Sequence, residues 1–257
     1  MKKYGVLVIS HGSRNAEWVE LVDQAVASVK LDDAIPVYSS FLEIMEGRLI
    51  QDGITSLEQQ GVTDILVIPL FVSSGSTHID EISYALGVIS QPILENEMVP
   101  LTIQAKIHFG SPIDDDEDIA QILYGKIQSL SVSPSREIVL LVGHGSVEKG
   151  FHLRWRKGLE LLAARLKAIG GFDEVDVAML LPDQVKRKMN LWTKRKPGHT
   201  VIVAPLFLSD GYFTNQVIPH RMREFSYKYN GNAMLPHPLI SRWMEKQIHQ
   251  MIGKLGD

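Results

Sequence analysis

The chain has 257 residues, 45% of them apolar and 22% charged, with a mean hydropathy of +0.02, the profile of a globular protein able to bury one large core or two ordinary ones. It contains no cysteine, which excludes disulfides, thiolate metal sites, cysteine nucleophiles and cysteine-held iron–sulfur clusters, so any metal must be held by His, Asp, Glu or water. The net charge of −4 divides unevenly: residues 1–131 hold 7 basic and 19 acidic side chains, a net of −12, and the remainder 19 and 11, a net of +8. This split predicts either mutually attractive halves or a basic half facing an anionic ligand.

Met1-Lys2-Lys3 leads directly into the first apolar run with no small-residue cleavage site. The longest apolar runs, Ile65 to Val72 and Val201 to Leu208, contain a proline and are far shorter than a bilayer span. A cytoplasmic protein with no signal peptide and no membrane segment is expected.

Tyr4 to Ser10 reads as a buried parallel strand that stops at Ser10-His11-Gly12-Ser13-Arg14 and delivers His11 to its carboxyl end, where open α/β sheets bind ligands. Asn15 to Lys30 has helical apolar spacing, with Ser13 or Asn15 as cap. Ile35 to Phe41 is a second strand, ending at Leu42-Glu43, so Glu43 occupies the same kind of strand end as His11. Glu46 to Gln60 predicts a helix stopped by Gly61. Asp64 to Phe71 is a third strand running into the small polar loop Val72 to Thr77, then His78 and a short helix to about Ile89. Val99 to Ile107 predicts a fourth strand. Ile113 to Leu130 predicts a closing helix whose acids Asp114, Asp115, Asp116 and Glu117 serve its amino end as caps.

After the polar linker Ser131 to Ser135 the pattern restarts. Glu137 to Val142 leads to Gly143-His144-Gly145-Ser146, and Thr200 to Leu208 matches Asp64 to Val72, so His144 follows His11 by 133 residues and Pro205 follows Pro69 by 136. Motifs recurring in order at a near-constant offset indicate a tandem duplication, with domains at 1–131 and 132–257, each a parallel sheet flanked by helices. Counting from the aligned prolines, His78 corresponds to Thr214 and Glu43 to Met179, so one copy alone keeps all three groups. A single active site in the first copy is expected, with His144 a remnant.

Two imidazoles and a carboxylate at adjacent strand ends suit a divalent first-row ion, and such a sparse ligand set leaves positions open for an incoming ligand. Glu43 is placed to act as a general base or as a third ligand. The basic run Lys186 to Lys196 around Trp192 is read as a solvated helix face, and no nucleic-acid partner is expected.

The His-Gly-Ser-Arg turn at 11–14, Ser40-Phe41-Leu42-Glu43, and Ile68-Pro69-Leu70-Phe71-Val72 running to His78 together resemble the sirohydrochlorin chelatase family in its long form with two fused repeats. The chain departs from the family pattern in a His78 loop one residue longer and in lacking a proline after Phe-Leu-Glu. The resemblance implies a chelatase-like fold of two α/β lobes facing across a cleft. The implied activity is a lyase reaction that inserts Co2+ or Fe2+ into sirohydrochlorin or a related tetrapyrrole, in cobalamin or sirohaem biosynthesis. It makes His11 and His78 metal ligands and Glu43 the active-site acid. The anionic tetrapyrrole is expected to meet Ser10, Gly12, Ser13 and Arg14, then Ser74, Gly75, Ser76 and Thr77, with Arg221 and Arg223 from the second copy. No permanently bound cofactor is expected; Co2+, Fe2+ or Ni2+ is substrate, and one duplicated chain predicts a monomer. Two other readings share these residues: a non-catalytic metal or tetrapyrrole carrier, and a phosphohydrolase using His11 and Arg14.

Overall fold

A computed structural model of the chain describes residues 2–95 and 97–256. In the first repeat the order is β1 (Tyr4–Ser10), α1 (Ala16–Ala27), β2 (Val37–Phe41), α2 (Ile50–Gln59), β3 (Asp64–Pro69), α3 (Thr77–Ala85), β4 (Lys106–Phe109) and α4 (Glu117–Ile127). The second contains β5 (Glu137–Gly145), α5 (Lys149–Gly170), β6 (Glu174–Leu181), α6 (Val185–Arg195), β7 (Thr200–Pro205), α7 (Ile218–Met222) and α8 (Pro238–Gly256).

The strands pair in parallel as two sheets, β2-β1-β3-β4 and β6-β5-β7. The central strands β1, β3 and β5 are buried almost throughout, which is why they are unbroken runs of Val, Leu and Ile rather than alternating patterns. Parallel pairing brings all strand ends of one sheet to the same edge. The registers Ser10↔Phe41 and Ile9↔Pro69 therefore align the loops that carry His11, Glu43 and His78.

The structure departs locally from the expected elements. The fourth strand lies at Lys106–Phe109, not Val99 to Ile107. Its expected first half is captured by side chains of α2: Gln51 Oε1 accepts from the Thr102 amide at 2.9 Å, and Glu58 Oε1 accepts from Gln104 and Ala105 at 2.6 and 2.8 Å. Helix α4 starts late because Asp116 is its cap, accepting from the Asp118 amide at 2.8 Å. Asp114 is drawn elsewhere: its backbone turns left-handed at φ 44° and its Oδ1 accepts from the Ser74 amide and hydroxyl at 2.8 and 3.1 Å.

The chain forms two compact units. One comprises Met1–Phe71, Thr77–Pro112 and Ile240–Asp257, the other Val72–Ser76 and Ile113–Leu239. The sequence pattern places the boundary between copies at residue 131, whereas the compact units assign α4 and α8 to the opposite copies. Helix α8 packs in the first, where Ser241 Oγ donates to the Ala25 carbonyl at 2.7 Å and Gln247 Nε2 to that of Ser111 at 2.8 Å. Helix α4 packs in the second, where the Lys126 carbonyl accepts from Asn230 Nδ2 at 2.6 Å. Among the described residues no helix is long and apolar enough to cross a membrane.

Candidate metal centre

His11 leaves β1 immediately before Gly12, whose φ of +98° lies in the left-handed region. A Cβ at Gly12 would sit 2.2 Å from the Glu43 carbonyl oxygen, so only glycine lets the two strand ends close on each other. They are stitched together by Leu42 N donating to the Ser10 carbonyl at 2.8 Å and Glu43 N donating to that of His11 at 3.2 Å. His78 is the second residue of α3, directly after the loop from β3.

These elements bring the His11 and His78 rings edge to face, centroids 4.8 Å apart with planes at 76°. Each histidine turns Nδ1 toward a protein oxygen. That of His11 faces the Gly12 carbonyl at 3.1 Å, with Glu43 Oε1 3.7 Å away, and that of His78 pairs with Glu81 Oε2 at 2.9 Å. An imidazole whose Nδ1–H is held by an oxygen presents Nε2 as a lone-pair donor, so both rings are poised to ligate through Nε2. His11 and Glu43 side chains are 43% and 55% exposed, which makes this an open edge rather than a sealed cage. Among the described residues no three His, Asp or Glu side chains converge on one point, so Glu43 is not gathered with the two imidazoles as a preformed third ligand.

Glu81 is the residue that sequence reasoning missed. Its signal was present, since a carboxylate three residues after a histidine on one helix face is within reach of the ring.

The other expected residues divide by what their polar groups already do. Ser10 is fully buried in β1, and its Oγ has no hydrogen-bond partner among the described residues, so its side chain lies under the edge rather than on it. Ser13 Oγ accepts from the Asn15 amide at 3.0 Å, while Arg14 is exposed and forms no ion pair among the described residues. The Ser74 carbonyl accepts from Arg154 at 3.1 Å in addition to the Asp114 contacts. Gly75 is pressed against α5, where a Cβ would meet the Trp155 ring at 2.5 Å and the Phe151 carbonyl at 2.6 Å. Ser76 N donates to the Ser73 carbonyl at 3.0 Å, and Thr77 opens α3. Arg221 is engaged at the end of β6, donating to the Leu180 carbonyl at 2.8 Å beside Asp183 at 3.3 Å; Arg223 is exposed.

The second repeat reproduces the geometry with different chemistry. His144 Nδ1 faces the Gly145 carbonyl at 3.1 Å, and a Cβ at Gly145 would meet the Leu181 carbonyl oxygen at 2.3 Å, the counterpart of the Gly12 and Glu43 approach. The His144 ring meets Phe213 edge-on at 4.9 Å. Residue counting pointed to Met179 and Thr214 as the counterparts of Glu43 and His78. The structural counterparts are Leu181 and Phe213, because the loops after β6 and β7 differ in length from those after β2 and β3. Neither residue can ligate an ion.

Fold and edge together define the class: a duplicated parallel α/β protein in which one copy carries an imidazole pair and the other an apolar replacement. The chain belongs to the CbiX family, whose model matches residues 5–130 and again residues 138–251. It is 29% identical over 218 residues to a sirohydrochlorin ferrochelatase of Priestia megaterium, covering 82% of this chain and 76% of the relative. It is 30% identical over 129 residues to a sirohydrochlorin cobaltochelatase of Sulfolobus acidocaldarius, covering 50% of this chain and 94% of that protein. The fold is similar to that of SirB from Bacillus subtilis, solved with Fe3+, at a TM-score of 0.73 and 20% identity over 98% of this chain and 96% of the other.

Proposed function

We propose that the protein inserts a divalent metal ion, Co2+ or Fe2+, into sirohydrochlorin or a closely related tetrapyrrole, as its ferrochelatase and cobaltochelatase relatives are named for doing. The observation that carries this reading is the edge-to-face pair of His11 and His78, both with Nδ1 engaged, at the sheet edge of one repeat alone. Two imidazole nitrogens hold an ion while leaving most of its coordination sphere open, which a metal in transit requires.

Metalation releases two pyrrole N–H protons as the ion enters. Glu43, exposed and beside the Nδ1 side of His11 rather than between the two rings, is placed to take up one of them, and the other passes to water at the open edge. Its carboxylate also lies where it can steady the His11 ring as the ion departs. The exposed guanidinium of Arg14 is available to the substrate's carboxylates, whereas Arg221 is already committed to the end of β6. The same reading makes the metal a substrate rather than a resident cofactor, and the protein a cytoplasmic monomer.

The test is anaerobic absorbance of sirohydrochlorin mixed with Co2+, Fe2+ or Ni2+ and wild-type protein, His11→Ala, His78→Ala or Glu43→Ala, beside a protein-free control. Catalytic metalation by the wild type that either histidine variant abolishes supports the proposal. Stoichiometric binding with no rate above the control would make the protein a carrier instead.

A further inference from the structure

Ile44, the residue directly after Glu43, has φ +72°. Left-handed backbone is costly for any residue with a Cβ and most costly for a β-branched one, and such strain persists where surrounding structure enforces it, with functional sites over-represented. The surroundings do enforce it. Met45 N donates to the Glu43 carbonyl at 2.8 Å, Glu46 N to that of Ile44 at 3.2 Å, and Phe41 N to that of Arg48 at 2.9 Å. The base of the loop is clamped by Arg48, which pairs with Asp23 at 2.6 and 2.9 Å and lies over the Phe41 ring.

The strained turn gains little packing, since Ile44 is 48% exposed. Nor does the architecture require it. In the second repeat the same strand end closes against Gly145 with Leu181, and the next residue is Pro182, whose ring holds φ negative. A left-handed, exposed, branched apolar residue thus occurs in the copy that carries Glu43 and not in the copy that has Leu181 in its place.

We infer that Ile44 is a substrate-contact residue: its side chain meets the planar face of the macrocycle beside Glu43, and the left-handed turn is retained because it presents that side chain to the open edge. The inference rests on the chelatase reading. Burying an isoleucine side chain against a ligand contributes about tenfold or more to its affinity.

The experiment compares wild type, Ile44→Asn and Ile44→Val in three measurements: sirohydrochlorin KM and kcat with Co2+, Co2+ affinity without macrocycle, and thermal midpoint. Asparagine adopts the left-handed region more readily, so Ile44→Asn is expected to melt no lower than wild type and to bind Co2+ unchanged, yet to show a KM raised about tenfold with kcat within about threefold. Ile44→Val, which keeps a branched apolar surface, is expected within about threefold of wild type in KM. A wild-type KM in Ile44→Asn, an equal loss in both variants, or a fall in kcat at constant KM would each overturn the contact role while leaving the chelatase reading intact. Failure of the wild type to bind sirohydrochlorin would overturn that reading, and the contact role with it.

Discussion

Phe213 meets His144 edge-on, ring centroids 4.9 Å apart with planes at 88°, in the same relationship that His78 bears to His11 at 4.8 Å and 76°. The two copies share the position of an aromatic partner, but one copy alone has there a nitrogen that could bind metal. The Phe213 ring instead stacks on Phe207, centroids 5.5 Å apart and nearly parallel, so the second edge has become apolar packing. Supplying the second edge with the side chains of the first should create a second site. The double variant Leu181→Glu, Phe213→His is expected to bind two Co2+ per chain in an anaerobic titration where wild type binds one. A stoichiometry of one would mean that the second edge no longer aims these positions together.

Glu81 should act on the metal through His78. Glu81→Ala is expected to weaken Co2+ affinity about 10- to 100-fold, the usual cost of removing the carboxylate behind a ligating imidazole. Glu81→Gln, which retains an acceptor oxygen, should lose less. The measurement is competition with a chelating dye, and equal affinities across the series would show that the 2.9 Å contact does not orient the ring for metal.

Two glycines separate local aim from global stability. Gly12→Ala places a methyl on the Glu43 carbonyl and should displace the loop bearing the proposed base, lowering the rate of metalation by about 10²-fold or more while circular dichroism remains native. Gly75→Ala forces the loop away from Trp155 and α5, an overpacking defect of about 1–3 kcal/mol visible in urea unfolding. Normal kinetics in Gly12→Ala would show that the edge tolerates the shift.

The inter-repeat segment carries a pH-dependent contribution to stability. Burial pushes the Glu137 carboxyl up, but hydrogen bonds from Ser131 Oγ and from the Val132 and Ser133 amides, the latter at 2.7 and 3.1 Å, outweigh it and hold the group below the usual glutamate range. A carboxylate with a lowered folded-state pKa stabilises fully above its unfolded pKa and loses that contribution as pH falls through its folded one. Glu137→Gln should therefore cost about 2 kcal/mol at neutral pH, a typical value for charge-assisted bonds. The difference from wild type should shrink once the pH drops below the ordinary glutamate range, as read from urea midpoints; a gap independent of pH would exclude the carboxylate as its source.

Much of the site was legible in the chain because parallel strands signal themselves. Almost wholly buried runs such as Tyr4 to Ser10 and Asp64 to Pro69 have no alternative use, and the loop that leaves each must run along the sheet's carboxyl edge. The duplication, the placing of His11, Glu43 and His78 at strand ends, and the asymmetry between copies all follow from order and spacing along one dimension. What spacing could not supply is anything that depends on three-dimensional reach. The fourth strand is shortened because Gln51 and Glu58 take the amides it needed, and Asp114 leaves a helix cap to hold Ser74. The closing helices α4 and α8 belong to the units opposite to their place in the repeat, as the bonds of Asn230 to the Lys126 carbonyl and of Ser241 to that of Ala25 record. The sequence alone determined which chemical groups stand at the edge. Tertiary structure decided which nitrogen of each histidine is free, that Glu81 stands behind His78, and that Ile44 faces solvent in a strained turn, because those depend on contacts between side chains and loops that no periodicity records.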